Sequence, residues 1–179
     1  LAEAMVWKQD VIETLRKGIA YLMKKHKVEL INGEAQFLDR QTVSVNGKTY
    51  QGQHLIIATG SSAAIPPIPG ANSPHVVTNR EILEISELPE TLIIIGGGYI
   101  GMEFASFFSN VGVEVSVIEM MPEIVPTMDA DFAKILRKSL SKVTFYLGAK
   151  VEAIDGDRVI FQVNGKSEAR QADLILMSV

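Results

Sequence analysis

The run Leu92-Ile93-Ile94-Ile95 followed by Gly96-Gly97-Gly98-Tyr99-Ile100-Gly101 constrains this chain more than any other feature. Leu92–Ile95 is continuously apolar, the pattern of a parallel strand covered on both faces. Tyr99 to Val111 reads as a helix, with Gly112 as its C′ residue. The turn between them fits G-x-G-x-x-G. Gly96 permits the sharp turn, Gly98 lets a diphosphate approach the backbone, and Gly101 lets helix and strand pack closely. The anion then rests on free N–H groups at the positive end of the helix dipole. Val113–Ile118 reads as a second strand, and Glu119 follows it 23 residues after Gly96, where the acid of a dinucleotide site belongs. A carboxylate there accepts from a ribose 2′-hydroxyl and repels a 2′-phosphate by roughly 4 kcal/mol at ~4 Å in a surface-like dielectric. Met120, Met121 and Pro122 bring no cation to offset this, so the pattern predicts NAD rather than NADP.

The rest of the chain supports an α/β reading: a Rossmann-like domain with a parallel sheet plus a three-stranded β-meander. Residues 3 to 26 read as a helix with Val11, Leu15, Ile19 and Leu22 on one face. Strand-like runs follow at 28–31, 35–38, 42–45 and 53–58, with Asn46-Gly47 as a type I′ hairpin signal. Ile65-Pro66-Pro67-Ile68-Pro69-Gly70 suits an extended linker. Thr78-Asn79-Arg80-Glu81 has capping-box spacing and predicts a short helix to about Glu87. Asp129 can cap a further helix carrying Phe132, Leu136 and Leu140 on one side. Three more strand runs, turning at Asp155-Gly156 and Asn164-Gly165, precede a final apolar run at 173–179.

An internal repeat spans both halves. Val28 to Gly33, Asp39, Val43, Asn46-Gly47-Lys48 and Leu55-Ile56 recur as Val143 to Gly148, Asp155, Val159, Asn164-Gly165-Lys166 and Leu174-Ile175, at an offset drifting from 115 to 119 residues. Two copies of one block predict two related domains, each with its own nucleotide. The start at Leu1 and the stop at Val179, one residue short of the glycine that matches Gly60, predict a fragment of a longer chain.

Composition excludes several alternatives. A net charge of −4 gives no general attraction to nucleic acid or anionic lipid. The long uncharged stretch from Leu55 to Asn79 is broken by proline and glycine and cannot form a membrane helix. With no charged-then-apolar leader in view, the expectation is a soluble, cytoplasmic protein. The chain has no cysteine, so it holds no thiol chemistry of its own. His26, His54 and His75 lack metal-site spacing with carboxylates, and no metal is expected.

The order Ile56-Ile57-Ala58-Thr59-Gly60-Ser61, Ile65 to Gly70, Leu88-Pro89 and Ile94 to Glu103 resembles the flavin-dependent pyridine nucleotide–disulfide oxidoreductases. Glu119 to Asp129 is most similar to the dihydrolipoamide dehydrogenase branch of that family. The resemblance covers nearly the whole chain and implies residues 1–71 as part of an FAD-binding domain and 72–179 as the NAD-binding domain. It implies FAD contacts at Ala35, Thr59, Gly60 and Ser61, and NAD contacts at Gly96, Gly97, Gly98, Tyr99, Ile100, Gly101, Glu119 and Val151. Val151 would lie beside the adenine, and Tyr99 and Ile100 would border the nicotinamide. Glu103 would form an ion pair with a lysine on the flavin side. The implied reaction is hydride transfer between dihydrolipoamide and NAD through FAD and a cysteine pair, in a homodimer within a 2-oxo acid dehydrogenase complex. An NADH oxidase or peroxidase and a non-catalytic NAD-binding module are the alternatives. The family's first flavin glycine loop, its cysteine pair and its C-terminal His-Glu dyad have no counterpart here, so the chain alone is expected to be inactive and flavin-poor.

Overall fold

The computed structural model describes all residues, 1–179, and residues 2–61 and 62–179 form two compact units. The first opens with helix α1 (Ala2–Lys25). The helix ends where Lys27 turns left-handed (φ 56°), with Val28 N–H bonded to Met23 C=O and Lys27 N–H to Lys24 C=O, the pairing of a Schellman stop. None of its residues is buried, and Val11, Leu15, Ile19 and Leu22 stay exposed. An antiparallel meander follows, β1 (Ala35–Phe37), β2 (Thr42–Val45) and β3 (Lys48–Gln51), in the order β1-β2-β3. Its hairpin turns on Asn46 and Gly47, at φ 51° and 75°, as a type I′ turn requires.

Two expected strands do not form in this unit. Residues 28–31 and 53–58 carry no strand pairing, and Ile56 is 90% exposed. A parallel strand needs neighbours to take its N–H and C=O groups, and this unit contains only the three meander strands. Conversely, β3 was not anticipated. It is mostly polar and exposed, and hairpin pairing with β2, from Val45↔Lys48 to Thr42↔Gln51, holds it.

The second unit is layered. Its parallel sheet has the order β4-β11-β5-β6-β7, built from Val76–Val77, Leu174–Met177, Thr91–Ile95, Glu114–Glu119 and Thr144–Leu147. Helices α2 (Tyr99–Asn110) and α3 (Ala130–Ser139) make the crossovers β5–α2–β6 and β6–α3–β7. Because strand side chains alternate, one face presents Leu92, Ile94, Val115, Val117 and Leu176 to Met102, Ala105 and Phe108 of α2 and Ala133 of α3. The other face presents Ile93, Ile95, Ile118, Ile175 and Met177 to a second meander. That meander is β8 (Lys150–Asp155), β9 (Arg158–Val163) and β10 (Lys166–Gln171), and it contributes Ile154, Val159, Phe161 and Val163. The continuous apolar run Leu92–Ile95 is thus explained by cover on both sides.

Local departures have local causes. Only half of the capping box forms, Thr78 N–H donating to Glu81 Oε2 at 2.7 Å while Thr78 Oγ1 accepts from Arg80 N–H, and only a 3-10 turn, Glu81–Glu84, follows because Ile85 is already extended (ψ 141°). Ile82 fills the core below it at 1% exposure. Asp129 caps α3 by accepting from Asp131 N–H. The helix buries Ala133 and its C-cap Leu140 is buried beyond it, while Phe132 is 63% exposed, since it sits one position off the buried stripe. The Pro-rich segment is no free linker. Pro69 C=O accepts the Ile154 N–H at 2.8 Å, and Ile68 and Ala71 pack against the meander-side core. No helix is long and apolar enough to cross a membrane.

Asp173, just before β11, joins two central strands. Its Oδ2 accepts from Glu90 N–H (3.0 Å), Thr91 N–H (2.9 Å) and Thr91 Oγ1 (3.0 Å). The Thr91 donors, aided by Glu90, hold its carboxyl below the usual aspartate range. A depressed carboxylate stabilises the fold above its unfolded-state pKa, about 4, and that contribution disappears as pH falls through the folded value. Asp173→Ala therefore lowers Tm at pH 7, and thermal melts show the gap to the parent chain closing as pH falls below about 4.

Candidate functional site

The glycine turn works by close approach. Gly96 has φ +106°, and a Cβ on it would lie 2.2 Å from Ser178 C=O. A Cβ on Gly101 would meet the Gly96 carbonyl oxygen at 2.4 Å, so α2 can start this close to β5 only with glycine there. Gly98 differs: its φ of −72° and ψ of −178° suit any residue, and a Cβ would meet nothing within 4 Å. The turn is therefore open at Gly98, where a ligand's diphosphate would need room. No side chain caps α2, so its first N–H groups are available to an anion.

Gly97 has a role that the motif alone did not reveal. Its N–H donates to Glu119 Oε2 at 2.5 Å, and a Cβ on it would stand 2.9 Å from that oxygen. The second oxygen, Oε1, accepts from Met121 N–H at 2.6 Å. Glu119 is buried (8% exposed), yet both oxygens are hydrogen-bonded, which is what keeps a buried charge tolerable. Each oxygen retains a second acceptor lobe for a hydroxyl.

These residues line a cavity of about 460 Å³. Gly96, Gly98 and Glu119 form one wall, and Met120 and Pro126 come from the loop after β6. Val151 and Lys150 enter from β8, and Pro66 and Ile68 from the Pro-rich segment. The register shift between Val151 and Ala153 on β8 is a bulge of the kind that re-aims a side chain. The apolar walls suit a flat base, and the single carboxylate suits a sugar.

The structure thus brings Gly96, Gly97, Gly98, Gly101, Glu119 and Val151 together. Tyr99 and Ile100 are exposed on the first turn of α2, and the Tyr99 hydroxyl shares a hydrogen bond with Thr127 Oγ1 at 2.9 Å. Glu103 is exposed on the same helix. In the first unit Ala35 heads β1, paired with Val45, while Thr59, Gly60 and Ser61 form an exposed segment without regular structure. Three features escaped the sequence reading. Lys150 is the only cation lining the cavity, and no local motif marks it because the meander delivers it. Glu123 is gripped by Arg137 through Nε–Oε1 (2.8 Å) and Nη2–Oε2 (3.0 Å), and that guanidinium holds the Glu123 carboxyl below its ordinary range. Val125 is left-handed (φ 42°).

A parallel sheet with βαβ crossovers, a glycine turn at its head and a covering meander define a Rossmann-like α/β protein, here with a further unit that carries its own three-stranded meander. A family model described as pyridine nucleotide-disulphide oxidoreductase matches residues 2–179, and the chain belongs to that family. It is 40% identical over 178 residues to a dihydrolipoyl dehydrogenase of Acholeplasma laidlawii, an alignment covering 96% of this chain and 53% of that protein. Among solved structures it is similar to the HOCl-induced flavoprotein disulfide reductase RclA from Escherichia coli. That match has a TM-score of 0.85 and 32% identity, and covers 98% of this chain and 42% of the other. It also resembles a water-forming NADH oxidase from Lactobacillus brevis solved with NADH, at a TM-score of 0.67 and 25% identity, covering 82% and 36%. The chain spans about half the length of these relatives, or less.

The glycines separate folding from binding. Gly101→Ala forces the Gly96 carbonyl aside and costs about 1–3 kcal/mol, read as a lower Tm. Gly98→Ala leaves Tm unchanged but abolishes measurable dinucleotide binding in a fluorescence titration.

Proposed function

We propose that this chain is the central part of an NAD-linked flavoprotein disulfide oxidoreductase, a dihydrolipoamide dehydrogenase. The second unit would hold NAD at Gly96–Gly101, Glu119 and Val151. The first would contribute Ala35, Thr59, Gly60 and Ser61 to an FAD site. Glu119 carries the reading: a buried, doubly bonded carboxylate at the end of β6, sharing one cavity with the open face of Gly98.

In this reading the N–H groups at the head of α2 receive the diphosphate, assisted by the helix dipole. Glu119 accepts from the ribose hydroxyls, its orientation set beforehand by Gly97 and Met121. Val151, Met120 and Ile68 give the adenine apolar cover. Tyr99 and Ile100 border the nicotinamide, and Glu103 forms an ion pair on the flavin side. When bound, NAD and FAD supply the hydride chemistry, and the cysteine pair of the longer protein supplies the dithiol. This chain has no cysteine, so alone it turns over no dihydrolipoamide, and it holds little flavin without the first glycine loop. The longer protein would be a cytoplasmic homodimer serving a 2-oxo acid dehydrogenase complex. The likeness to a solved NADH oxidase keeps an oxidase or peroxidase as a second reading. The residues preceding this segment decide between them, by a cysteine pair or a single cysteine.

Lys150 tempers the cofactor preference, because its ammonium offsets part of the repulsion that Glu119 exerts on a 2′-phosphate. Fluorescence titration is expected to give NADH at least about tenfold tighter binding than NADPH. Glu119→Gln narrows that ratio, and Lys150→Gln widens it. Tighter binding of NADPH by the parent chain would overturn the assignment of Glu119.

A further inference from the structure

Four non-glycine residues adopt left-handed backbone: Lys27, Asn46, Asn164 and Val125. The first three sit at a helix end or in Asn-Gly turns, where the geometry is ordinary. Val125 is not ordinary, because a β-branched residue at φ 42° is strongly disfavoured, and strain of this kind persists only where the surroundings impose it.

Here they do. Ile124 and Val125 are buried, at 0% and 1% exposure, in the helix-side core. Met128 N–H bonds Val125 C=O at 2.8 Å, and Ile124 N–H bonds Glu123 Oε1 at 3.1 Å. Arg137 on α3 grips both oxygens of Glu123. The product of this arrangement is one hydrogen bond, from Val125 N–H to Gly97 C=O at 2.8 Å.

That bond fixes more than a loop. Gly97 is now held at both of its polar groups, N–H by Glu119 and C=O by Val125. In a trans peptide the N–H of the next residue points opposite to the carbonyl. With Gly97 C=O turned onto Val125, Gly98 N–H faces away from the loop. No acceptor in the chain takes that N–H, and a Cβ on Gly98 would meet only open space.

We infer that residues 120–128 form a positioning device, in which the Glu123–Arg137 pair anchors Val125 so that its N–H locks the Gly97–Gly98 peptide and presents the Gly98 N–H to a ligand's diphosphate. The inference rests on the dinucleotide reading of the cavity and adds positioning residues to it. Val125, Glu123 and Arg137 act through the peptide.

The test compares ADP with adenosine, which lacks phosphate, as ligands of the 179-residue chain, followed by 1H–15N NMR. In the parent chain the Gly98 amide resonance moves downfield with ADP and not with adenosine. Arg137→Met and Glu123→Gln each weaken ADP about tenfold, the scale of coupling within one hydrogen-bonded network, and leave adenosine unchanged. The double variant is no weaker than either single one, and Arg137→Lys restores part of the loss. Equal losses for ADP and adenosine, or a lower Tm with unchanged ADP affinity, would overturn the inference by reducing the pair to a structural strut. A Gly98 resonance indifferent to ADP in a parent chain that binds it also overturns the inference, whether or not the variants fold. A parent chain that binds neither ADP nor NADH refutes the underlying dinucleotide reading instead.

Discussion

The contact between the Gly97 N–H and the Glu119 carboxylate is the interaction on which the rest of the site depends. It joins the end of β6 to the turn after β5, two points 22 residues apart in sequence, and it requires the absence of a side chain at Gly97. Burying a carboxylate is costly unless its oxygens are hydrogen-bonded. With two backbone donors it can remain an acceptor in a cavity whose walls are mostly apolar. The sheet makes this possible, because the parallel register Ile95↔Ile118 places the two strand ends side by side.

The second unit has a division of labour between its faces. The helix-side core, centred on Phe108, Val115, Val117 and Ile94, fixes where α2 and α3 begin and hence where Gly98 and Arg137 stand. The meander-side core, with Phe161 and Val159 fully buried, fixes β8 and so delivers Lys150 and Val151 to the cavity. Both layers must be in place before the site has two walls.

What was legible in the sequence follows from how local each cause is. The glycine turn, the Asn46-Gly47 and Asn164-Gly165 hairpins and the Asp129 cap are decided within a few residues, and each is present. The apolar runs at 28–31 and 53–58 resemble their counterparts at 143–148 and 174–175, yet only the latter lie in strands, because strand formation depends on neighbours that composition cannot supply. The same reason hid β3, whose side chains are polar and whose partner makes it a strand. Lys150 was invisible as a cavity residue because a bulged meander brings it there. The left-handed backbone of Val125 has no signature, since burial and the Glu123–Arg137 grip impose it from 14 residues away.

The position of β11 sets the order in which this unit can be assembled. Leu174–Met177 lies between β4 and β5, about 80 residues after the strand it pairs with in parallel at Leu92. Until that segment arrives, the inner edges of both neighbours display unpaired N–H and C=O groups along a strongly apolar surface. A nascent chain therefore exposes its stickiest edge longest, and closes it in a single late insertion whose loop entropy makes it slow.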